Sequence, residues 1–170
     1  SISVREICIK KVNDNDINLV QVDDFDLVSN EFTPALNLPK SLGFTNFIIH
    51  PFSINQLKNK NLFKPEQIGK GKILLQLFVR GKPFIGEDYN NDNWIDAIKS
   101  LQTDERLSGI IVYGCPYLYN KIRKATHKEI PLAYCPSQSK EAQNQTLSRI
   151  FRSEIFASEI YENSINIFTD

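Results

Sequence analysis

The sequence predicts an α/β protein with an open, mainly parallel sheet of five or six strands and helices on both faces. Segments typical of strands alternate with segments typical of helices about five times along the 170 residues, and this alternation favours a parallel sheet. The segment 73–79 is apolar at every position except Gln76, so it lacks the polar alternation of a strand with one solvated face. We therefore expect a central strand there, covered by helices on both sides.

The first sixteen residues are predicted to be a lead-in from a preceding domain, and residues 17–170 to form a single α/β domain. The apolar positions of the segment 1–12 fit neither a strand nor a helix period, so a short strand stays an alternative. The chain contains no Met, even at its first position. We therefore expect it to be a piece of a longer protein or a processed product.

The first half of the domain alternates between predicted strands and weaker helical segments. Residues 17–22 and 44–50 are apolar and β-branched enough to form strands. Residues 25–32 could hold a helical turn or two. The prolines of the segment 34–39 predict a loop, and Ser53 is a candidate cap for a short helix over residues 54–60.

The second half repeats the alternation more clearly. Asn91 or Asp92 can cap a helix in which Trp94, Ile98 and Leu101 recur at helical spacing. The remaining predicted elements are a buried strand 109–113, a helix 116–125, a strand 130–134, a helix from Ser137 or Ser139 to about Phe151, and a packed tail 152–170.

The composition excludes several classes of function. Lys plus Arg equals Asp plus Glu at 20 each, so no net charge favours binding to nucleic acid or an anionic membrane. No apolar run approaches the ~20 residues of a membrane span, and no signal peptide is visible. The three cysteines are an odd number at wide spacing, which favours a reducing compartment. We therefore expect a cytoplasmic protein without nucleic-acid or membrane partners.

Candidate binding residues follow the predicted strands, because ligands of parallel sheets bind beyond the carboxyl ends of the strands where strand order reverses. Six residues there are predicted to contribute to binding: Asp23, Asp24, His50, Arg80, Tyr113 and Cys115.

The charged candidates each have two interpretations. Asp23 and Asp24 could act as a carboxylate pair or, with His50, as metal ligands, but Asp after a strand is also typical of a simple turn. Arg80 could recognise a carboxylate, phosphate or sugar hydroxyl. Alternatively it pins its loop through an ion pair, for which Asp23 or Asp24 is the expected partner.

Cys115 raises an alternative enzyme function, a Cys-dependent hydrolase. It lies between a strand and a helix, as a nucleophile on a turn would, with His50 as base and Asp24 as orienting acid. Pro116 argues against this, because it removes a backbone N–H that such a turn offers to an oxyanion. The chain has no GxGxxG, no phosphate-binding Gly-rich loop and no CxxC, so we expect no cofactor and no metal site.

Two turn motifs at these strand ends resemble a known family. They are Arg-Gly-Lys-Pro-Phe at 80–84 and Tyr-Gly-Cys-Pro-Tyr at 113–117, and they precede the Gln-containing helix within 138–151. The segments around them resemble the carboxyl-terminal domain of family-three glycoside hydrolases. The bacterial and cyanobacterial branch with beta-N-acetylhexosaminidases and beta-glucosidase-related proteins is the most similar.

The resemblance implies a flavodoxin-like plan and a parent glycosidase whose amino-terminal (β/α)8 barrel carries the nucleophilic Asp. That barrel is the implied partner, with carbohydrate as a further candidate. No acid/base motif of the family has a counterpart here, so no catalytic residue carries over. We therefore expect a non-catalytic second domain, inactive alone, that packs on the barrel and borders its carbohydrate cleft. The alternative is a free-standing binding module or the Cys-dependent hydrolase.

Overall fold

A computed structural model of the chain describes residues 1–22, 33–49, 68–79, 91–152 and 155. Within these residues it contains a six-stranded sheet and four helices. The strands are β1 (Ser3–Val4), β2 (Ile17–Val22), β3 (Thr45–Ile49), β4 (Ile73–Phe78), β5 (Leu107–Tyr113) and β6 (Leu132–Cys135). The helices are α1 (Pro34–Ser41), α2 (Asn91–Thr103), α3 (Pro116–Ala125) and α4 (Lys140–Ile150).

The strands lie in the order β1-β6-β5-β4-β2-β3. Every neighbouring pair is parallel except β1 and β6, which are antiparallel. Strands β4 and β5 lie side by side in the middle of the sheet. The prediction of a mainly parallel sheet with these two strands at its centre is therefore confirmed.

Both faces of the sheet are covered by helices, which explains why every residue of β4 except Gln76 is apolar. Leu74 and Phe78 belong to the apolar layer that contains residues of α1 and α4. Ile73, Leu75 and Leu77 belong to the opposite layer, which contains residues of α2 and α3. Because successive side chains of a strand point to opposite faces, a strand covered on both sides needs apolar residues at both parities.

Helix α1 corrects the predicted loop at 34–39. Pro34 occupies the first turn, where its missing N–H costs nothing. Pro39 lies inside the helix and cannot donate to the carbonyl of Ala35 four residues earlier. That carbonyl instead accepts from Asn18 Nδ2 and from Gln76 Nε2, both at 2.8 Å. Side chains from the sheet thus satisfy the acceptor that proline leaves open.

The other described elements agree with prediction to within a few residues. Helices α2 and α3 lie where the sequence predicts them, and Ser139 caps α4 by accepting a hydrogen bond from Ala142 N at 3.2 Å. Strand β5 begins two residues earlier than predicted, at Leu107, and β6 ends at Cys135. The predicted helical segments 25–32 and 54–60 lie outside the described residues.

The first residues of the chain pack on the sheet. Strand β1 pairs with β6, and Ile9 is only 3% exposed within the α1 and α4 layer. Arg5 donates to the carbonyls of Arg123, His127 and Ile130 at 2.7–3.0 Å. This guanidinium therefore holds the connection between α3 and β6 in place. The domain boundary at residue 16 stays a prediction.

None of the described helices has the length and apolar character that a membrane span requires.

Candidate functional site

The sheet reverses its strand order between β2 and β4. The chain runs from β2 outward to β3 and then crosses back to β4 on the other side of β2. Val22 and Phe78 are direct neighbours at the carboxyl ends of these two strands. Open parallel sheets bind ligands beyond such a switch point, so the topology selects the carboxyl ends of β2 and β4 as the first candidate site.

Four of the six predicted site residues lie outside the described residues: Asp23, Asp24, His50 and Arg80. Their binding roles, the metal alternative and the Arg80 ion pair therefore stay predictions. The other two, Tyr113 and Cys115, are described.

Tyr113 ends β5 and is completely buried. Its hydroxyl donates to Gln76 Oε1 at 2.9 Å, and its ring stacks on Phe78 with centroids 4.2 Å apart. Burial, and secondarily the charge of Cys135, raises the pKa of Tyr113 well above its usual range. The hydroxyl is therefore a neutral donor that holds an amide of the adjacent strand inside the α1 and α4 layer. A direct ligand contact of Tyr113 stays a prediction.

Cys115 is the residue before α3 and is only 5% exposed. It belongs to the apolar layer beneath α2 and α3, and its side chain makes no capping hydrogen bond. Pro116 begins the helix, as the sequence predicts. Nucleophilic cysteines are thiolates with solvent access, whereas this thiol is packed among apolar side chains. The base and acid proposed for it lie outside the described residues.

The backbone geometry at Gly114 explains why the Tyr-Gly-Cys-Pro-Tyr motif has glycine at its second position. Its φ is +100°, and a Cβ there would lie 2.8 Å from the carbonyl oxygen of Val79 and 3.0 Å from Gln138 Nε2. Its N–H donates to the carbonyl of Cys135 at 2.8 Å. The backbone segments that follow β4, β5 and β6 therefore meet in close contact, which only glycine permits.

A buried network of amide side chains joins the central strands to α1, and only its Gln76 member is conspicuous in the sequence. Gln76 Nε2 donates to Asn18 Oδ1 at 2.8 Å, and Asn18 Nδ2 donates to Asn46 Oδ1 at 2.9 Å. Asn46 Nδ2 in turn donates to the carbonyl of Leu36 at 3.1 Å. Gln76 is the single polar residue of an apolar run. That interruption is the sequence signal from which a buried hydrogen bond could be inferred.

Gln143 of α4 extends this network to the start of α1. It is fully buried, accepts from Ala35 N at 3.0 Å and donates to the carbonyl of Gln138 at 3.0 Å. The next two amides of α1 donate to the carbonyl of Thr33. The amino end of α1 is thus satisfied from within the chain and offers no open anion site.

Two buried oxygens have no hydrogen-bond partner within the part of the chain that the structure describes: Gln21 Oε1 in β2 and Thr33 Oγ1 directly before α1. Buried polar atoms without partners are rare in proteins. Gln21 lies one residue before the end of β2, so one of these acceptors is adjacent to the switch point. No group of three or more His, Cys, Asp or Glu is placed to hold a metal ion in the part of the chain that the structure describes.

Comparison with known proteins identifies the family of the chain. No curated protein matches the chain significantly. A family model described as "Bacterial Glycosyl hydrolase family 3 C-terminal domain" matches residues 9–152. This range contains every described strand and helix except β1, and it includes the two turn motifs from which the resemblance was inferred. The recognition made from the sequence is confirmed, and the chain belongs to the family of bacterial glycosyl hydrolase family 3 C-terminal domains.

Proposed function

We propose that the chain is the non-catalytic second domain of a bacterial glycosidase, that it packs on the catalytic (β/α)8 barrel of the same protein, and that it borders the carbohydrate cleft. The observation that carries the proposal is the family match over residues 9–152. Domains of this family take their name from the carboxyl-terminal position that they hold beside another domain.

The residues at the described carboxyl ends of β5 and β6 support a non-catalytic role for the domain. A retaining glycosidase needs two carboxyl groups about 5 Å apart, one acting as acid and one as nucleophile. The segments 114–117 and 136–139, which follow β5 and β6, contain no Asp or Glu. What they supply is the close backbone contact at Gly114 and a hydrogen bond from Gln138 Nε2 to the carbonyl of Tyr113 at 3.3 Å.

The sugar specificity and location belong to the same proposal. The branch that the turn motifs resemble suggests a parent that acts on beta-linked N-acetylhexosamine or glucose. The three cysteines Cys8, Cys115 and Cys135 are all free thiols, which supports a reducing, cytoplasmic location.

The test compares the isolated chain with the parent protein on aryl N-acetylglucosaminide and aryl glucoside. We expect turnover by the parent, none by the isolated chain, and recovery of activity when the separately produced barrel is mixed with this chain. Turnover by the isolated chain that disappears on substitution of one of its acids would refute the proposal. Turnover that is abolished by a thiol-alkylating reagent and by Cys115→Ala would support the Cys-dependent hydrolase instead.

A further inference from the structure

Strand β1 sets the edge of the sheet at which a preceding part of the protein joins this domain. It runs antiparallel to β6, with Ser3 opposite Tyr134 and Val4 opposite Ala133. The chain before Ser3 therefore lies at the carboxyl end of β6, and the chain after Val4 runs toward the amino end of β6. Since an extended residue spans at most about 3.6 Å, the two residues before Ser3 reach no more than about 7 Å from it.

The segment that leads from β1 into the domain is hydrogen-bonded to the sheet and to α4. Arg5 N donates to the carbonyl of Leu132 at 2.9 Å, and Ile9 N donates to the carbonyl of Ile150 at 2.8 Å. The family match begins at residue 9, so residues 1–8 connect the matched domain to any domain before it. Because this connection is paired with β6 from Ser3 onward, a preceding domain must join at the carboxyl end of β6.

The carboxyl edge of the sheet carries an uncharged surface close to this point. It consists of the two turns after β5 and β6, residues 114–117 and 136–139, which contain no Asp, Glu, Lys, Arg or His. Tyr117 is 54% exposed, and Pro116 and Pro136 are exposed as well. Only β6 separates β1 from β5, so these two strands lie about 10 Å apart. We refer to the two turns as the β5–β6 turn surface.

The opposite edge of the sheet differs in composition. Its described turns expose charged side chains, namely Asp14, Lys70, Lys72, Asp104, Glu105, Lys128 and Glu129. Charged residues are depleted in the cores of protein interfaces, and tyrosine is enriched there. Of the two edges, as far as the structure describes them, the carboxyl edge therefore has the composition of an interface.

The β5–β6 turn surface is held in one arrangement by hydrogen bonds within the chain. Gly114 N donates to the carbonyl of Cys135 at 2.8 Å, and Gln138 Nε2 donates to the carbonyl of Tyr113 at 3.3 Å. Pro116 begins α3, so the backbone that carries Tyr117 is ordered as well. A surface that is ordered in advance loses little conformational entropy when a partner packs on it.

We propose that the β5–β6 turn surface is where the preceding barrel domain packs, with Tyr117 as the anchor of the contact. This inference rests on the proposed function, which supplies the barrel, and adds the position of the barrel relative to the sheet. A tyrosine buries a large apolar ring while its hydroxyl keeps a hydrogen bond, and tyrosines are enriched among the residues that contribute most to binding. In this arrangement the carboxyl ends of β5 and β6 face the barrel.

The test uses the complete parent protein with the photo-crosslinking residue p-benzoylphenylalanine at one position at a time. It takes the place of Tyr117, of Lys128 at the amino edge, or of Gln145 on α4. All three residues are exposed, so each substitution leaves the core intact. After irradiation and digestion, mass spectrometry identifies the crosslinked peptides. We expect crosslinks to the preceding domain from position 117 and none from the two control positions.

A second measurement uses the parent protein cut at a protease site placed before Ser1, so that the two domains are held together only by their contact. Tyr117→Ala should raise the Kd between the domains about fivefold or more, since a residue that anchors an interface contributes over 1 kcal/mol. The matched control Gln145→Ala should leave this Kd unchanged.

Two results would overturn the inference while the proposed function stands. They are crosslinks to the preceding domain from position 128 or 145 but not from 117, and an equal Kd for Tyr117→Ala and Gln145→Ala. Turnover of aryl glycosides by the same parent protein is measured in parallel and reports on the proposed function alone. A parent protein without a barrel would overturn both.

Discussion

Gln143→Ala tests whether a side chain of α4 caps the amino end of α1. The substitution removes the acceptor of Ala35 N and the donor to the carbonyl of Gln138, both 3.0 Å from the amide. A buried N–H without an acceptor costs about 1–3 kcal/mol, and the second hydrogen bond contributes about 1 kcal/mol. We therefore expect the free energy of unfolding to fall by about 2–4 kcal/mol.

That loss is a large part of the total for a domain of this size, for which unfolding free energies of about 5–15 kcal/mol are typical. At about 2–4 °C per kcal/mol, the melting temperature should fall by about 4–16 °C. The assays are urea unfolding followed by circular dichroism, and hydrogen exchange at the amide of Ala35. Exchange at that amide should accelerate, because its only described acceptor is gone.

The matched control is Gln145→Ala, the same substitution two residues further along α4 at an exposed position. It measures the small gain from the higher helix propensity of alanine without touching the cap. If the unfolding free energies of Gln143→Ala and Gln145→Ala agree within about 0.5 kcal/mol, the typical spread of surface substitutions, then Gln143 does not cap α1.

Three further predictions concern buried or strained positions. Tyr113→Phe removes the donor to Gln76 Oε1 and should cost about 1–2 kcal/mol in urea unfolding. The raised pKa of Tyr113 keeps its hydroxyl neutral in the folded chain. The unmodified chain should therefore lose stability as pH rises above about 10, where the unfolded tyrosine ionises. If the unfolding free energy falls equally with pH in the unmodified chain and in Tyr113→Phe, this explanation is wrong. Gly71→Ala should lower the free energy of unfolding by about 3 kcal/mol, because its Cβ would meet the backbone carbonyl of Asn15. Gly109→Ala should cost less, because its Cβ would meet the flexible end of the Ile9 side chain. A lower melting temperature for Gly109→Ala than for Gly71→Ala would disprove the contact at Gly71. Glu105→Gly should raise stability by about 0.5–1 kcal/mol, because φ is +56° at this residue, and a lower melting temperature would show that the turn is not strained.

The central part of the sheet is predictable because its signal is local. The run of β4, apolar except for Gln76, and the similar run of β5 require cover on both faces. The helical spacing of apolar residues predicts α2, which forms part of that cover. Ser139 before α4 is recognisable as a cap for the same reason, since the capping bond spans only three residues. Periods, caps and turn motifs were enough to predict the fold class and the family.

The prediction failed at α1 because the decisive contacts come from distant parts of the chain. Two prolines within eight residues favour a loop on local grounds, yet Asn18 and Gln76 supply the donors that Pro39 cannot. Those partners lie 17 and 41 residues from Ala35 along the chain. No local pattern can indicate that an amide from another strand will meet a particular carbonyl.

The candidate sites show the same difference between local sequence signals and contacts between distant segments. The sequence by itself determined that chemistry should be sought at the ends of parallel strands, because that rule depends only on strand order and polarity. Only the tertiary structure decided that the reversal lies between β2 and β4 and that the Tyr113 hydroxyl is bonded to a buried amide. The physical reason is that a strand order or a buried hydrogen bond needs segments far apart in the chain to meet at fixed distances. Those distances are set by the packing of the whole domain.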